Sequence, residues 1–177
     1  MRKLFFYVLP IVLMSCYSTQ VKNQSVSKDS YDSDTYILSE INGLRKNGCL
    51  CNGKYYSPVQ VLKWNALLYK SAYKHAKSMY DFDYFSHISP DGKDVGDRLE
   101  TVGYNWQYAG ENLAEGQKSF KEAMHDWIAS ESHCKMLMNP NMEEVGVAKY
   151  GNYWVQHFGK QMPVNGKRVN RKYSEGG

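Results

Sequence analysis

The residues of this chain whose types could do chemistry are five histidines, one glutamate set beside a glycine, and a small group of cysteines. Among His75, His87, His125, His133 and His157, two stand apart. His87 in "FSHISPDG" and His133 in "ASESHC" each lie just beyond an expected helix, in turn-like segments of the kind on which sites are built. His75 falls near an apolar helical stripe and reads as a satisfied core residue. His125 falls on a polar helix face, and His157 sits in an expected strand whose inward face the pattern does not resolve. Glu111 lies in "GENLAEG". A glycine beside it permits positive φ and close approach of a neighbouring group, which suits a carboxylate held against something. No local spacing joins these residues, since nothing here has the form H-E-x-x-H. Ser86, Ser130 and Ser132 adjoin the two loop histidines. Adjacent side chains diverge, and a Ser-His-Glu mechanism also needs an oxyanion hole, so a serine nucleophile ranks below metal binding.

Three cysteines, Cys49, Cys51 and Cys134, follow the amino-terminal segment, so at most one pair closes within the chain. A zinc site is an alternative with poor spacing, since Cys49 and Cys51 are only two apart and no ligand partner lies near them in sequence. Cys49 reads as a free thiol, an alternative partner for Cys134, or half of an exchange pair with Cys51.

The elements that must position these groups follow from periodicity. "DTYILSEINGLRKNG" carries Tyr36, Ile37, Ile41 and Leu44 at helical spacing, with Ser33 or Asp34 to cap it and Gly48 to end it. "NALLYKSAYKHAKSMYDFDYF" starts at a capping Asn65 and repeats Leu68, Ala72, Ala76 and Met79 on one face. In "SFKEAMHDWIAS", Ser119 and Glu122 match a reciprocal capping box, and Phe120, Ala123, Trp127 and Ile128 face inward. Val145, Val147, Tyr153 and Val155 alternate around Gly151-Asn152, a two-residue hairpin turn. Helices precede strands, which predicts an α+β fold with an antiparallel sheet.

The ends of the chain carry a different message. Arg2 and Lys3 precede an apolar run from Leu4 to Met14, the layout of a secretory signal over residues 1–15. Leu13-Met14-Ser15-Cys16 resembles a lipobox, which makes Cys16 the expected lipidation site and a membrane the expected partner. A transmembrane anchor or an unlipidated signal is the alternative. Tyr17 after that cysteine tilts the reading toward an outer membrane. Residues 16–33 are polar and serine-rich, too poor in apolar surface to offset ordering, and read as a tether. A domain over residues 34–160 is long enough for its own core, and residues 161–177 read as a flexible basic tail. Without Arg2 and Lys3 the 22 basic residues fall to 20 against 18 acidic, a balance too even to suggest nucleic acid as a partner.

"YKSAYKHAKSM", "YFSHISPDG", "GDRLETVGY", "GENLAEG", "WIASESHCKMLMNPNMEEVGVA" and "YWVQHFG" occur in the order and spacing of bacterial members of the CAP superfamily, which this chain resembles from about Asp34 to Gly159. The resemblance implies a three-layer α-β-α sandwich with a central antiparallel sheet and a cleft where two histidines and one or two glutamates converge. His87, Glu111 and His133 match that set residue by residue, and Glu131 is a fourth candidate. It implies that Gly110 turns the chain so that Glu111 points between His87 and His133, and that the group can hold zinc or another divalent metal. It also implies a Cys51–Cys134 disulfide. The function expected is that of an exported binding module for an envelope ligand or protein partner. A metal-dependent hydrolase of peptide, peptidoglycan or lipid is the alternative, and a purely structural cluster a third.

Overall fold

The computed structural model describes residues 33–163 and 172–176, so the signal segment, Cys16 and all but the last residue of the tether lie outside the described residues. The elements run α1 (Asp34–Asn47), β1 (Cys49–Cys51), β2 (Lys54–Tyr56), β3 (Lys63–Trp64), α2 (Ala66–Phe82), α3 (Val95–Thr101), β4 (Trp106–Glu115), α4 (Phe120–Ala129), α5 (Glu131–Leu137), β5 (Glu144–Tyr150), β6 (Tyr153–Gln161) and β7 (Lys172–Gly176).

Local chemistry sets most of the helix boundaries. Ser33 Oγ accepts from Tyr36 N to open α1, and Gly48, at φ 78°, closes it. Asn65 Oδ1 accepts from Leu67 N and Leu68 N to open α2. Ser119 Oγ accepts from Glu122 N at α4, but the Glu122 carboxylate turns to Lys118 N at 2.9 Å, so the expected reciprocal box reaches one residue further back. Helix α3 lay unread in "GDRLETVGY", although Asp94 and Asp97 cap it reciprocally. Arg45 is fully buried in α1, where the helical pattern gave no reading of it. Its guanidinium donates to the carbonyls of Gln60, Leu137, Asn139 and Met142, tying α1 to the segment after α5.

The main sheet has the order β3-β5-β6-β4-β7. β5, β6 and β4 are antiparallel, and the Gly151-Asn152 turn joins β5 to β6 as expected. The two edge strands pair in parallel, β3 with β5 and β7 with β4, a geometry that needs long connections. β7 lies within the segment expected to be a flexible tail. Pairing with the β4 edge uses backbone groups and needs no apolar periodicity, which was the signal that expectation relied on.

Helices cover both faces, giving the α-β-α sandwich. Ala72, Ala76 and Met79 of α2 pack with Leu113, Ala148 and Val155, and Val95 and Leu99 of α3 with Ala109. On the other face Ile37, Ile41, Phe120, Trp127 and Met136 pack with Ala114, Val147, Trp154 and Phe158. Gly146 lets α2 approach closely, because a Cβ there would collide with the backbone of Leu68 and Tyr69.

Candidate functional site

"GENLAEG" is mid-strand. β4 runs from Trp106 to Glu115, and Gly110 is not among the residues with positive φ, so the expected tight turn before Glu111 is absent. What Gly110 supplies is space: a Cβ there would lie 2.6 Å from Met136 Sδ and 3.0 Å from Met142 Cε. Strand alternation then sends Gly110 and Asn112 toward α5, and Glu111 toward α2 and α3.

Glu111 is completely buried on that second face. His87 Nδ1 lies 2.6 Å from its Oε1. His157 Nε2 lies 2.6 Å, and Arg98 Nη2 2.7 Å, from its Oε2. His75 Nε2 stands 3.7 Å from the same oxygen and 3.1 Å from the carbonyl of Ser86. Arg98 also donates through Nη1 to Ser89 Oγ and to the Lys93 carbonyl, so it holds the loop after His87 as well as the carboxylate. Both carboxylate oxygens are thus engaged from α2, the loop after it, α3 and β6.

Burial works against ionisation of Glu111, but hydrogen bonds from His157 and His87 and the charge of Arg98 outweigh it and hold its pKa well below the ordinary carboxylate value. His75 is pushed down to about 3, first by burial and then by Arg98 and His157 against the pull of Glu111. Burial also lowers His157. Its Nδ1 is buried without a hydrogen-bond partner among the described residues, which suits a neutral ring whose single proton sits on Nε2. His87 meets the ionised Glu111 through Nδ1, so Nε2 is the ring nitrogen not engaged by that carboxylate.

His133 lies on α5 rather than in a turn, and Cys134 follows it in the same helix. It is half-buried, and burial first and His87 second lower its pKa. Asn112 Nδ2 donates to the His133 carbonyl at 3.2 Å and to Gln156 Oε1 at 3.0 Å, fixing α5 to the sheet. Gly176 of β7 packs beside Asn112 and the His133 ring. Glu131 is exposed in the first turn of α5. His87, Glu111 and His133 do not form a group whose ligand atoms all lie within 4.8 Å of one another. Among the described residues that description fits Cys49, Cys51 and Cys134. Cys51 and Cys134 are joined by the expected disulfide, and Cys49 is a buried free cysteine.

The contacts of Glu111 leave a smaller set of candidate metal donors than expected. His87 and His133 can offer two imidazole nitrogens, with Glu111 behind His87 as its hydrogen-bond acceptor rather than beside it as a ligand. Behind the cluster lies a chamber of about 340 Å³, between α2 and the segment leading through α3. Ser71, His75, Phe82, Pro90, Lys93 and Arg98 help line it, so His75 and Arg98 face both the chamber and Glu111.

Three members of this cluster were missed as site residues. His157 alternates with Val155 on one face of β6, and His75 falls one helical turn from Ser71 and Met79 in α2, patterns that mark burial but not convergence. Arg98 sits in the capped α3, whose Asp94 and Asp97 were the available signal.

Residues 38–158 match the family model described as CAP, the cysteine-rich secretory protein family. The uncharacterised protein YkwD of Bacillus subtilis is 37% identical over 103 residues, covering 57% of this chain and 39% of that protein. The uncharacterised membrane protein YlbC of the same organism is 34% identical over 100 residues, covering 56% of this chain and 29% of its own. The chain therefore spans well under half the length of both relatives. An extracellular protein of Bacillus anthracis containing an SCP domain superposes with a TM-score of 0.60 at 28% identity, over 77% of this chain and 44% of that one. An outer surface protein of Borrelia burgdorferi shares the fold, with a TM-score of 0.62 at 22% identity over 72% of this chain and 92% of that one.

Proposed function

Because the chain belongs to the cysteine-rich secretory protein (CAP) family, we propose that it is an extracytoplasmic binding module, anchored to a membrane through a lipid on Cys16. In this reading its cleft presents His87 and His133 to an envelope ligand, a partner segment or a divalent metal. The single observation that carries this is the 2.6 Å hydrogen bond between His87 Nδ1 and Glu111 Oε1, with Glu111 fully buried. It makes Glu111 a brace and leaves the second nitrogen of His87 for a partner. The similarity to an extracellular protein supports the location.

Two imidazoles suit zinc, and a zinc held this way would supply Lewis acidity to whatever it meets. His87 and His133 would be its protein ligands, Glu111 would orient His87, and Arg98 would keep Glu111 ionised. The hydrolase reading needs turnover as well as this donor set.

The test is zinc titration by calorimetry, with metal analysis, on the oxidised protein near pH 7.5. One zinc bound by the native chain, and none by a folded His87→Ala, His133→Ala variant, is the expected result. Equal binding by both would remove the imidazole pair from the reading. Turnover of a peptide, muropeptide or ester panel by the zinc-loaded native chain alone would move the assignment to a hydrolase.

A further inference from the structure

β1 is three residues long, and its alternation leaves Leu50 outside while Cys49 and Cys51 both turn into the same buried pocket. Cys134 of α5 reaches that pocket from the other side. Its Sγ is bonded to Cys51 and lies 3.5 Å from the Sγ of Cys49, and Met138 closes the cluster, with Val59 and Ile128 packed against it. The chain therefore offers Cys134 two partners two residues apart on one strand, and the structure contains one of the two pairings.

We propose that Cys49, Cys51 and Cys134 form a thiol–disulfide exchange site in which Cys134 alternates between its two neighbours on β1. The Cys49 sulfur, as thiolate, attacks Cys134 Sγ. A Cys49–Cys134 bond forms, the Cys51–Cys134 bond breaks, and its electron pair leaves on Cys51, which takes up the proton that Cys49 gave. Two electrons stay in one disulfide throughout, so the step needs no oxidant, reductant or added thiol.

The three sulfurs form a bent group, all within 4.8 Å of one another, whereas displacement at sulfur requires attacker and leaving group in line. With a disulfide of about 2.05 Å, Cys49 must swing about its own χ1 to reach that line. The backbone that carries Cys49 is set apart from the main sheet. β1 and β2 form a two-stranded sheet of their own with three residue pairs, outside the five-stranded sheet. Their turn, Asn52-Gly53, has both residues at positive φ. A shift of β1 therefore breaks no strand pairing of the main sheet. Exchange moves the anchor of α5 by two residues along β1, and α5 is the helix that carries His133.

The test uses the full chain with Cys16→Ser, so that three thiol positions remain, and reads pairing by acid-quenched, non-reducing peptide mapping. After incubation at pH 8 without added thiol, both Cys51–Cys134 and Cys49–Cys134 peptides are expected. A native-state alkylating reagent should label Cys51 progressively as well as Cys49. The same chain with Cys51→Ser should fold with Cys49–Cys134 closed and no remaining thiol. Label confined to Cys49 in the three-cysteine chain, together with two unpaired thiols in the folded Cys51→Ser variant, would overturn the proposal. Label confined to Cys49 with Cys49–Cys134 closed in that variant would overturn it too, as pairing chosen once during folding and never exchanged.

Discussion

Glu111 and His157 face one another across the β4–β6 ladder as register partners, and the ring nitrogen Nε2 meets the carboxylate at 2.6 Å. The polar centre of this protein is therefore built into the sheet itself. His87, His75 and Arg98 are brought onto that pair by α2, the loop after it, and α3. A buried carboxylate with Arg98 at 2.7 Å is costly to break from one side, because the remaining partner stays buried and uncompensated.

Glu111→Ala is expected to lose about 3–5 kcal/mol of stability, the range for breaking a buried pair by removing one partner. Urea unfolding followed by tryptophan fluorescence measures it. Adding Arg98→Met to Glu111→Ala should recover part of that loss, since it removes the stranded cation. Additive losses in the double variant would mean that Arg98 acts mainly on Ser89 and Lys93.

Acid should destabilise the fold from about the point where a free imidazole takes up its proton. His75 titrates near 6.5 in the unfolded chain and is held at about 3 in the folded one. Between those values the unfolded state binds more protons, so the contribution is complete above 6.5 and is lost as pH falls toward 3. His157 and His133 are lowered in the same direction and add to the loss. Glu111, held below its ordinary 4.5, contributes stability that is complete above that value and is lost as pH falls further, toward its folded pKa. Urea midpoints should fall steadily between pH 7 and pH 4, and a midpoint that stays flat over that range would contradict the buried neutral histidines.

Gly146→Ala should cost more than Gly110→Ala. The added methyl at 146 meets the backbone of α2, which cannot move alone, whereas at 110 it meets the flexible ends of Met136 and Met142. Overpacking of the second kind costs about 1–3 kcal/mol. Thermal melts of the two variants give the order directly, and a reversed order would place the tighter contact on the α5 face.

Removing residues 164–177 should unmask the β4 edge. Tyr108 to Asn112 pair with Lys172 to Gly176, and Gly176 packs on the His133 ring. Hydrogen exchange should quicken at the β4 amides that face β7 while those bonded to β6 keep their protection. Unchanged exchange along β4 would mean that the strand does not pair in solution.

The legible part of this protein was whatever a few neighbouring residues determine. The caps at Ser33, Asn65 and Ser119, the inward stripe of Leu68, Ala72, Ala76 and Met79, and the Gly151-Asn152 turn all rest on contacts within a turn or two of chain. The family resemblance implied the Cys51–Cys134 disulfide, and it singled out His87 and Glu111, which are in contact. What the local pattern could not determine was direction. "GENLAEG" read as a turn because glycine is equally at home in a turn and beneath a packed methionine, and only Met136, brought from α5, decides between them. The buried role of Arg45 was not legible, because its partners, the carbonyls of Leu137, Asn139 and Met142, lie more than ninety residues away. The same holds for His75, Arg98 and His157. Each sits on a face its own element dictates, but their convergence on one carboxylate depends on the register of β4 with β6 and on the packing of α2 and α3. Those long-range relations are set by burial of the whole sheet, a quantity no short stretch of sequence contains.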